Sequence, residues 1–595
     1  MKLNPTAYLL GLVKPDHPWL ILAGVVLLAI LRRITKPDPL KDIPGPWLAK
    51  HTPLLLAYHT RTGKRYLYVD KLHKKYGPFV RITPTQVSCA HPTAPSVIYA
   101  QGSASLPKTP FYRSFYVNGT PSLFSTQDRV GHSSKRRVLA HPFSYASVKQ
   151  FEDWIRRSVA KMVMKLDQRA RKSGVGISAT TLGRASGSDT GPFGGVESES
   201  GEEVDVLMWL NYLTFDVISD LAFGEPLGML DRETDVLLED TKKEKSQAGV
   251  AAMIDFRGRT AAFLGLFPTL LPGSILEPLT RWIPDPFVQR GLQGTNTLSL
   301  IAQRCVKHRL DSDSSIRRGD LLDQLVDDMR SKQAQSHDRG GEGEVSEADV
   351  VTDAMLLLTA GSDTTANSTA AILFWIYSTP RVLEKLRDEL TETLSAPLTV
   401  DSTVTLTFSD DNEATEEVAD ALGVPLHDQL KNLKYLSAVI DEGLRMFATN
   451  AFGLPRAVPE GTSVTVEDKT FYEGIELSTP AYTIQHDVAI WGTDADVFRP
   501  ERWLASESAS CAGSSDSESE KLGPAELKKY LLTFGVGPRA CIGKNLAMLQ
   551  MQILVAAFVM RYDLELRDKN ELRSVEGFMH KPVDLWARIG MRGGL

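Results

Sequence analysis

The chain has 595 residues, a formal net charge of −6 and 24% charged residues, and it carries no basic block of the size that nucleic acid demands. Its four cysteines, Cys89, Cys305, Cys511 and Cys541, lie far apart, which excludes C-x-x-C metal or redox sites and a disulfide framework. That spacing fits a reducing compartment in which any special cysteine acts alone.

In chain order the first element is the uncharged run "WLILAGVVLLAIL" (Trp19–Leu31), closed by Arg32 and Arg33. Counted over 19–34, with the arginines snorkelling, it comes close to the shortest transmembrane length of about 17 residues. Basic residues come after the run instead of before it, against the order of a signal peptide. The expectation is a single-pass anchor at 19–34 with residues 1–18 lumenal. Arg32, Arg33, Lys36 and Lys41 place the rest of the chain on the cytosolic side. A proline-rich hinge over 35–47 makes a stiff spacer to the body, 48–595.

The body reads as mainly α with a minor β part. Segments 172–203, 331–344, 399–417 and 506–521 are rich in glycine, serine or acidic residues and read as surface insertions unable to build a core. Between them, "GEEVDVLMWLNYLTFDVISDLAFG" repeats apolar residues at helical spacing. The stretch Val351–Ser378 is about 42 Å long if helical at about 1.5 Å per residue, enough to cross a domain. Strand-like pieces are few: "FVRIT", "SVTV", "AYTIQ" and "YDLEL".

Polar groups stand out within these elements. "DRVGHSSKRRVLAHPFS" is a basic helix carrying His132 and Arg136. "AGSDTT" (Ala360–Thr365) puts an acid and hydroxyls into an apolar helix, where burial is costly. Such hydroxyls either back-bond to the helix and bend it or serve a site. "EGLR" sets Glu442 and Arg445 three apart on one helical face, able to pair.

The stretch "FGVGPRACIG" (Phe534–Gly543) admits two readings. Its G-x-G-x-x-A pattern suits a dinucleotide turn, with "YLLTF" before it and an apolar helix, Asn545–Tyr562, after it. No βαβ series precedes it, however, and Pro538 removes a backbone donor that a phosphate would want. A thiolate reading uses more of the same residues. Glycines let a flat cofactor approach and turn N–H groups toward the sulfur. A helix starting after Cys541 favours the ionised thiol, and Arg539 is placed to meet a propionate.

The loop resembles the haem-binding loop of the cytochromes P-450, Phe-x-x-Gly-x-Arg-x-Cys-x-Gly. Phe534, Gly537, Arg539, Cys541 and Gly543 fill each fixed position, and Gly535 falls at a free one. The resemblance extends over nearly the whole chain after the anchor and implies haem b held through Cys541, with Phe534 and Gly535 beside it. It implies that "GSDTT" is an oxygen-activation segment: Gly361 and Thr364 open a local kink, Thr364 hydrogen-bonds the bound oxygen, and Asp363 helps deliver protons. Glu442, Arg445 and the Arg502 of "FRPERW" match a bracing Glu-Arg-Arg cluster. Arg136 and the Arg456 of "GLPRAVP" match propionate ligands, while His132 stands where tryptophan is usual and is the weaker donor.

The implied activity is monooxygenation, inserting one atom of O2 into a C–H bond of a small organic molecule at the endoplasmic reticulum membrane. Electrons would come from NADPH through a separate NADPH–cytochrome P-450 reductase, with cytochrome b5 as a further donor and Lys528, Lys529 and Lys544 as docking residues. "LPKTPFYRSF" and "EGFMHKPVDLWARIG" look most like fungal benzoate para-hydroxylases. That implies an aromatic acid, with Lys108, Arg113 or Tyr112 as carboxylate partners. The competing expectation is a fungal secondary-metabolite hydroxylase acting on a terpenoid or polyketide. A haem-thiolate isomerase or dehydratase, or a non-catalytic haem protein, would not need "GSDTT".

Overall fold

The frame is set by one helix, Glu347–Ser378, of 32 residues. Ser346 opens it with a capping box: its side chain accepts from Asp349 N while the Asp349 carboxylate accepts from Ser346 N. Pro380 just beyond its end starts a new helix, Pro380–Thr393. It is apolar nearly all round, so it runs through the core, as such a helix must. Around it pack the helices Val206–Phe223, Lys434–Met446 and Lys544–Arg561.

In a computed structural model, residues 38–100, 105–172, 202–236, 249–311, 319–337, 345–394, 415–504 and 522–593 are described. The lumenal segment 1–18 and the expected anchor 19–34 lie outside them. Among the described residues one helix, Val206–Phe223, is long and apolar enough to cross a membrane, and it is buried in the protein core. Contacts divide the chain after Pro44, with Gly45–Leu595 as one unit, so the body begins slightly before the hinge end expected at 47.

The expected insertion 506–521, with Cys511, lies wholly outside the described residues, as do most of 172–203 and 399–417 and half of 331–344, each of which meets an ordered element at one end or both. Lys172 closes the helix Glu152–Lys172, and Glu203 opens the strand Glu203–Asp205. Residues 331–337 extend the helix Leu321–His337, since lysine, glutamine and alanine are good helix formers. Glu416 opens the short helix Glu416–Ala421, capped by Thr415.

The β part is small. One sheet has the order Phe79–Arg81, Gln86–Cys89, Glu476–Ser478, Arg456–Ala457, with a parallel pairing only between its middle two strands. A second sheet pairs Glu203–Asp205 and Tyr562–Leu566 to either edge of Trp586–Met591. Two hairpins, Ser463–Val466 with Lys469–Tyr472 and Ser574–Glu576 with His580–Pro582, complete it.

One strand expectation fails. "AYTIQ" is the helix Ala481–Gln485, despite its strand-favouring tyrosine, threonine and isoleucine. Buried Gln485 explains the override: its amide donates to the carbonyls of Leu444 (3.0 Å) and Arg445 (2.8 Å), and its oxygen accepts from Leu532 N (2.8 Å). "YLLTF" is not a strand either, which removes the support for a dinucleotide turn.

Candidate active site

The cysteine loop closes on itself before the helix Lys544–Arg561 begins. Cys541 N donates to the Phe534 carbonyl at 2.8 Å. Gly535 and Gly537 take the left-handed conformation, φ +65° and +75°, which strains any L side chain. Gly535 is therefore more constrained than its free place in the pattern suggests. At 537 a Cβ would also lie 1.9 Å from the Tyr99 carbonyl oxygen.

The loop lines a cavity of about 320 Å3 whose opposite wall comes from the central helix Glu347–Ser378. Further walls come from the helices Arg129–Ala140 and Val250–Leu264 and from Phe578 and Met579. Cys541 is the only described cysteine on this cavity; it is accessible there, whereas Cys89 is buried elsewhere. Burial raises the Cys541 thiol, while the Gly543 N–H and the charges of Arg136 and Lys544 pull it the other way.

Four cations share one side of the cavity: Lys108, Arg136, Arg456 and Arg539. Arg136 donates to the Ala540 carbonyl at 2.9 Å, which ties its helix to the cysteine loop. Arg539 donates to the carbonyls of Thr126 (3.1 Å), Gln127 and Asp128 (both 3.4 Å). Arg456 donates to the Tyr112 hydroxyl and to the Pro455 carbonyl. Lys108 donates to the Phe124 carbonyl, and burial plus the three arginines pull its pKa well down. None of the four has an ion-pair partner among the described residues. His132 lines the same side, and burial and those cations bring it to about 3, so it stands there as a neutral imidazole.

Such a site fits an anionic planar cofactor. Three clustered arginines with no ion-pair partner among the described residues call for negative charge from outside the chain, the glycines leave room for a flat body, and one thiol faces the space. Haem, with two propionates and a thiolate-accepting iron, meets all three requirements.

The expected opening at Gly361 and Thr364 is not a break in the central helix, which continues through both. Thr359, Ser362 and Thr364 each donate to the carbonyl four residues back, Thr364 to Ala360 at 2.8 Å. Their hydroxyls are thus satisfied inside the helix. Thr364 and Asp363 both line the cavity. Burial raises the Asp363 carboxyl, with Lys581 opposing and Asp255 adding to the shift.

Away from the cavity the three expected bracing residues meet. Glu442, fully buried, accepts from Arg445 Nε and Nη2, Arg502 Nε, Trp503 Nε1 and the Arg499 backbone, each at 2.9 Å. Arg445 also donates to the carbonyls of Gln485 and Ala495, both at 2.7 Å.

The expected carboxylate partners fare differently. Lys108 and Tyr112 belong to the cation cluster, while Arg113 donates to Gln127 Oε1 at 3.0 Å and does not line the cavity. Sequence reasoning missed Arg257, which does line it. Its only signal was an arginine between Phe256 and Gly258, and its neighbours Asp255 and Arg259 made it read as one member of a solvated charged turn.

A mainly helical body around a cavity with one cysteine and a cluster of cations defines a protein that encloses haem over a thiolate. Residues 44–585 match the family model described as "Cytochrome P450", and the chain belongs to the cytochrome P-450 family, whose members hold haem iron through a cysteine. It is 34% identical over 586 residues to benzoate 4-monooxygenase of Aspergillus niger, covering 98% of each chain. Pisatin demethylase of Fusarium vanettenii is 26% identical, over 89% of this chain and 85% of that one. The cytochrome P450 monooxygenase traB of Penicillium crustosum is 28% identical, over 89% and 87% respectively. The chain is accordingly an oxygen-incorporating oxidoreductase with a haem-thiolate cofactor.

Proposed function

We propose that this enzyme hydroxylates a small aromatic acid of the benzoate class, with Cys541 as the iron ligand. The observation that carries the substrate class is the 34% identity along 98% of both chains with a benzoate 4-monooxygenase. Arg136, Arg456 and Arg539, with Lys108 and neutral His132, would hold the propionates, while Phe534 and Gly535 border the cofactor. Glu442, Arg445 and Arg502 brace the fold behind the cysteine loop and take no part in the chemistry.

When bound, haem supplies the activation of dioxygen and the insertion of one oxygen atom into a substrate C–H bond. The chain's own residues govern protons. Because the Thr364 proton is committed to the Ala360 carbonyl, its oxygen keeps lone pairs to accept a hydrogen bond in the cavity. Asp363, its pKa raised by burial, holds its proton to higher pH than an ordinary carboxyl and can donate it there. Replacing Asp363 with asparagine is expected to slow product formation by about a hundredfold or more, the usual worth of such a proton donor. Substrate affinity should stay near wild type; steady-state rates beside binding titrations check both.

Electrons would come from a separate NADPH–cytochrome P-450 reductase, with cytochrome b5 assisting, at the endoplasmic reticulum membrane to which 19–34 anchors the chain. Lys529 pairs with Glu526 (2.7 Å) in an exposed contact weak enough to yield to a partner, while Lys528 reaches the largely buried Asp441 at 3.4 Å. The test is turnover of benzoates with reductase and NADPH, followed by product analysis. Hydroxylation of a terpenoid or polyketide, with benzoates untouched, would overturn the substrate class.

A further inference from the structure

The cation cluster at the cysteine loop leaves one charged residue of the cavity unexplained. Arg257 lies on the helix Val250–Leu264, which packs against Pro110–Phe115, and it lines the cavity. It has no hydrogen bond or ion pair among the described residues. The nearest candidate on its own helix, Asp255, is taken by Lys581 (3.4 Å) and Arg259 (3.5 Å). Burial brings the Arg257 guanidinium down to about 10, with no carboxylate opposing the shift, so it remains a cation at neutral pH. Enclosing an unpaired cation is costly, and a position that does so beside a cavity calls for an anion from outside the chain.

Aromatic side chains flank it. The Arg257 guanidinium carbon is 6.0 Å from the Phe115 ring centroid. Phe115 packs at 4.5 Å on Phe578, and Phe124 lies 5.3 Å from both. All three line the cavity. A cation beside an aromatic wall matches a molecule with a carboxylate at one end and a flat apolar body.

We propose that Arg257 is the specificity residue of this enzyme, pairing with the carboxylate of an aromatic acid whose ring packs on Phe115, Phe124 and Phe578. The assignment rests on the aromatic-acid reading of the substrate and adds the residue that selects the acid over its neutral analogues. It also replaces Lys108, Tyr112 and Arg113 in that role.

The experiment compares wild-type holoenzyme with Arg257→Gln and Arg257→Lys. Binding of benzoate and of its neutral isostere benzamide is followed by the substrate-induced spectral shift and by equilibrium dialysis, and the reduced-CO spectrum reports folding. Loss of a charge-assisted pair is expected to weaken benzoate by at least about tenfold in R257Q. Benzamide should change by less than about twofold, with R257K falling between wild type and R257Q for benzoate. Unchanged benzoate affinity in R257Q, or equal weakening of acid and amide, overturns the assignment while leaving the substrate class standing. Loss of haem from both variants would make Arg257 a structural residue and overturn it too. Wild-type enzyme that binds no aromatic acid would overturn the substrate class, and this assignment with it.

Discussion

Cys541→Ala is expected to abolish both the thiolate-type reduced-CO spectrum and all product formation. No other described cysteine reaches the cavity: Cys89 is buried elsewhere and Cys305 is not among the lining residues. His132 does not offer a replacement thiolate, and it sits among the cations Arg539, Lys108, Arg136 and Arg456. The substitution removes no core packing, because the sulfur faces the cavity, so far-UV circular dichroism should match wild type. Thermal stability should fall toward that of the haem-free protein, since a ligand that binds only the folded state stabilises it by mass action. A thiolate-type spectrum from the alanine variant would sink the assignment and direct attention to another cysteine.

Glu442→Ala is the second large effect, on stability instead of chemistry. Five donors converge on one fully buried carboxylate, and two of the donor groups are guanidinium cations that are themselves 0% and 3% accessible. Its removal leaves Arg445 buried without a carboxylate and Arg502 with only Asp494 at 3.5 Å, a loss of about 3–5 kcal/mol. A domain with roughly 5–15 kcal/mol of stability loses a large share of it. The expected result is low holoprotein yield and a lower urea midpoint, with the deficit shared by Arg445→Ala. An unchanged midpoint in Glu442→Ala would show that the cluster does not brace the fold.

Cys541 and Glu442 differ in how much of their role is legible from neighbouring residues. The cysteine loop is local: ten consecutive residues carry the glycines, the arginine and the sulfur, so their spacing narrows it to a phosphate or a thiolate loop, and the resemblance to a family selects the thiolate. The same holds for the long helix, whose apolar period over Val351–Ser378 matches the observed Glu347–Ser378 apart from one extra turn at its capped start. The pairing of Glu442 with Arg445 is likewise within one turn. Convergence of Arg502, Trp503 and the Arg499 backbone on the same carboxylate is not local, and only the resemblance to a family suggested Arg502.

The mainly helical class, the cysteine, and the order of polar motifs along the chain were all readable in the residues alone, because each depends on near neighbours. The folded chain decided which charges meet. Arg136 reaches the Ala540 carbonyl across 404 residues of sequence, and Arg456 reaches Tyr112 across 344. Folding turned "AYTIQ" into a helix, since hydrogen bonds from buried Gln485 to a distant helix end outweigh a strand propensity worth about 1 kcal/mol at most. It also separated four cations that crowd one side of the cavity from Arg257, which stands apart with no ion pair among the described residues. A charge's role depends on which groups the fold brings within a few ångströms of it, and no local pattern encodes that.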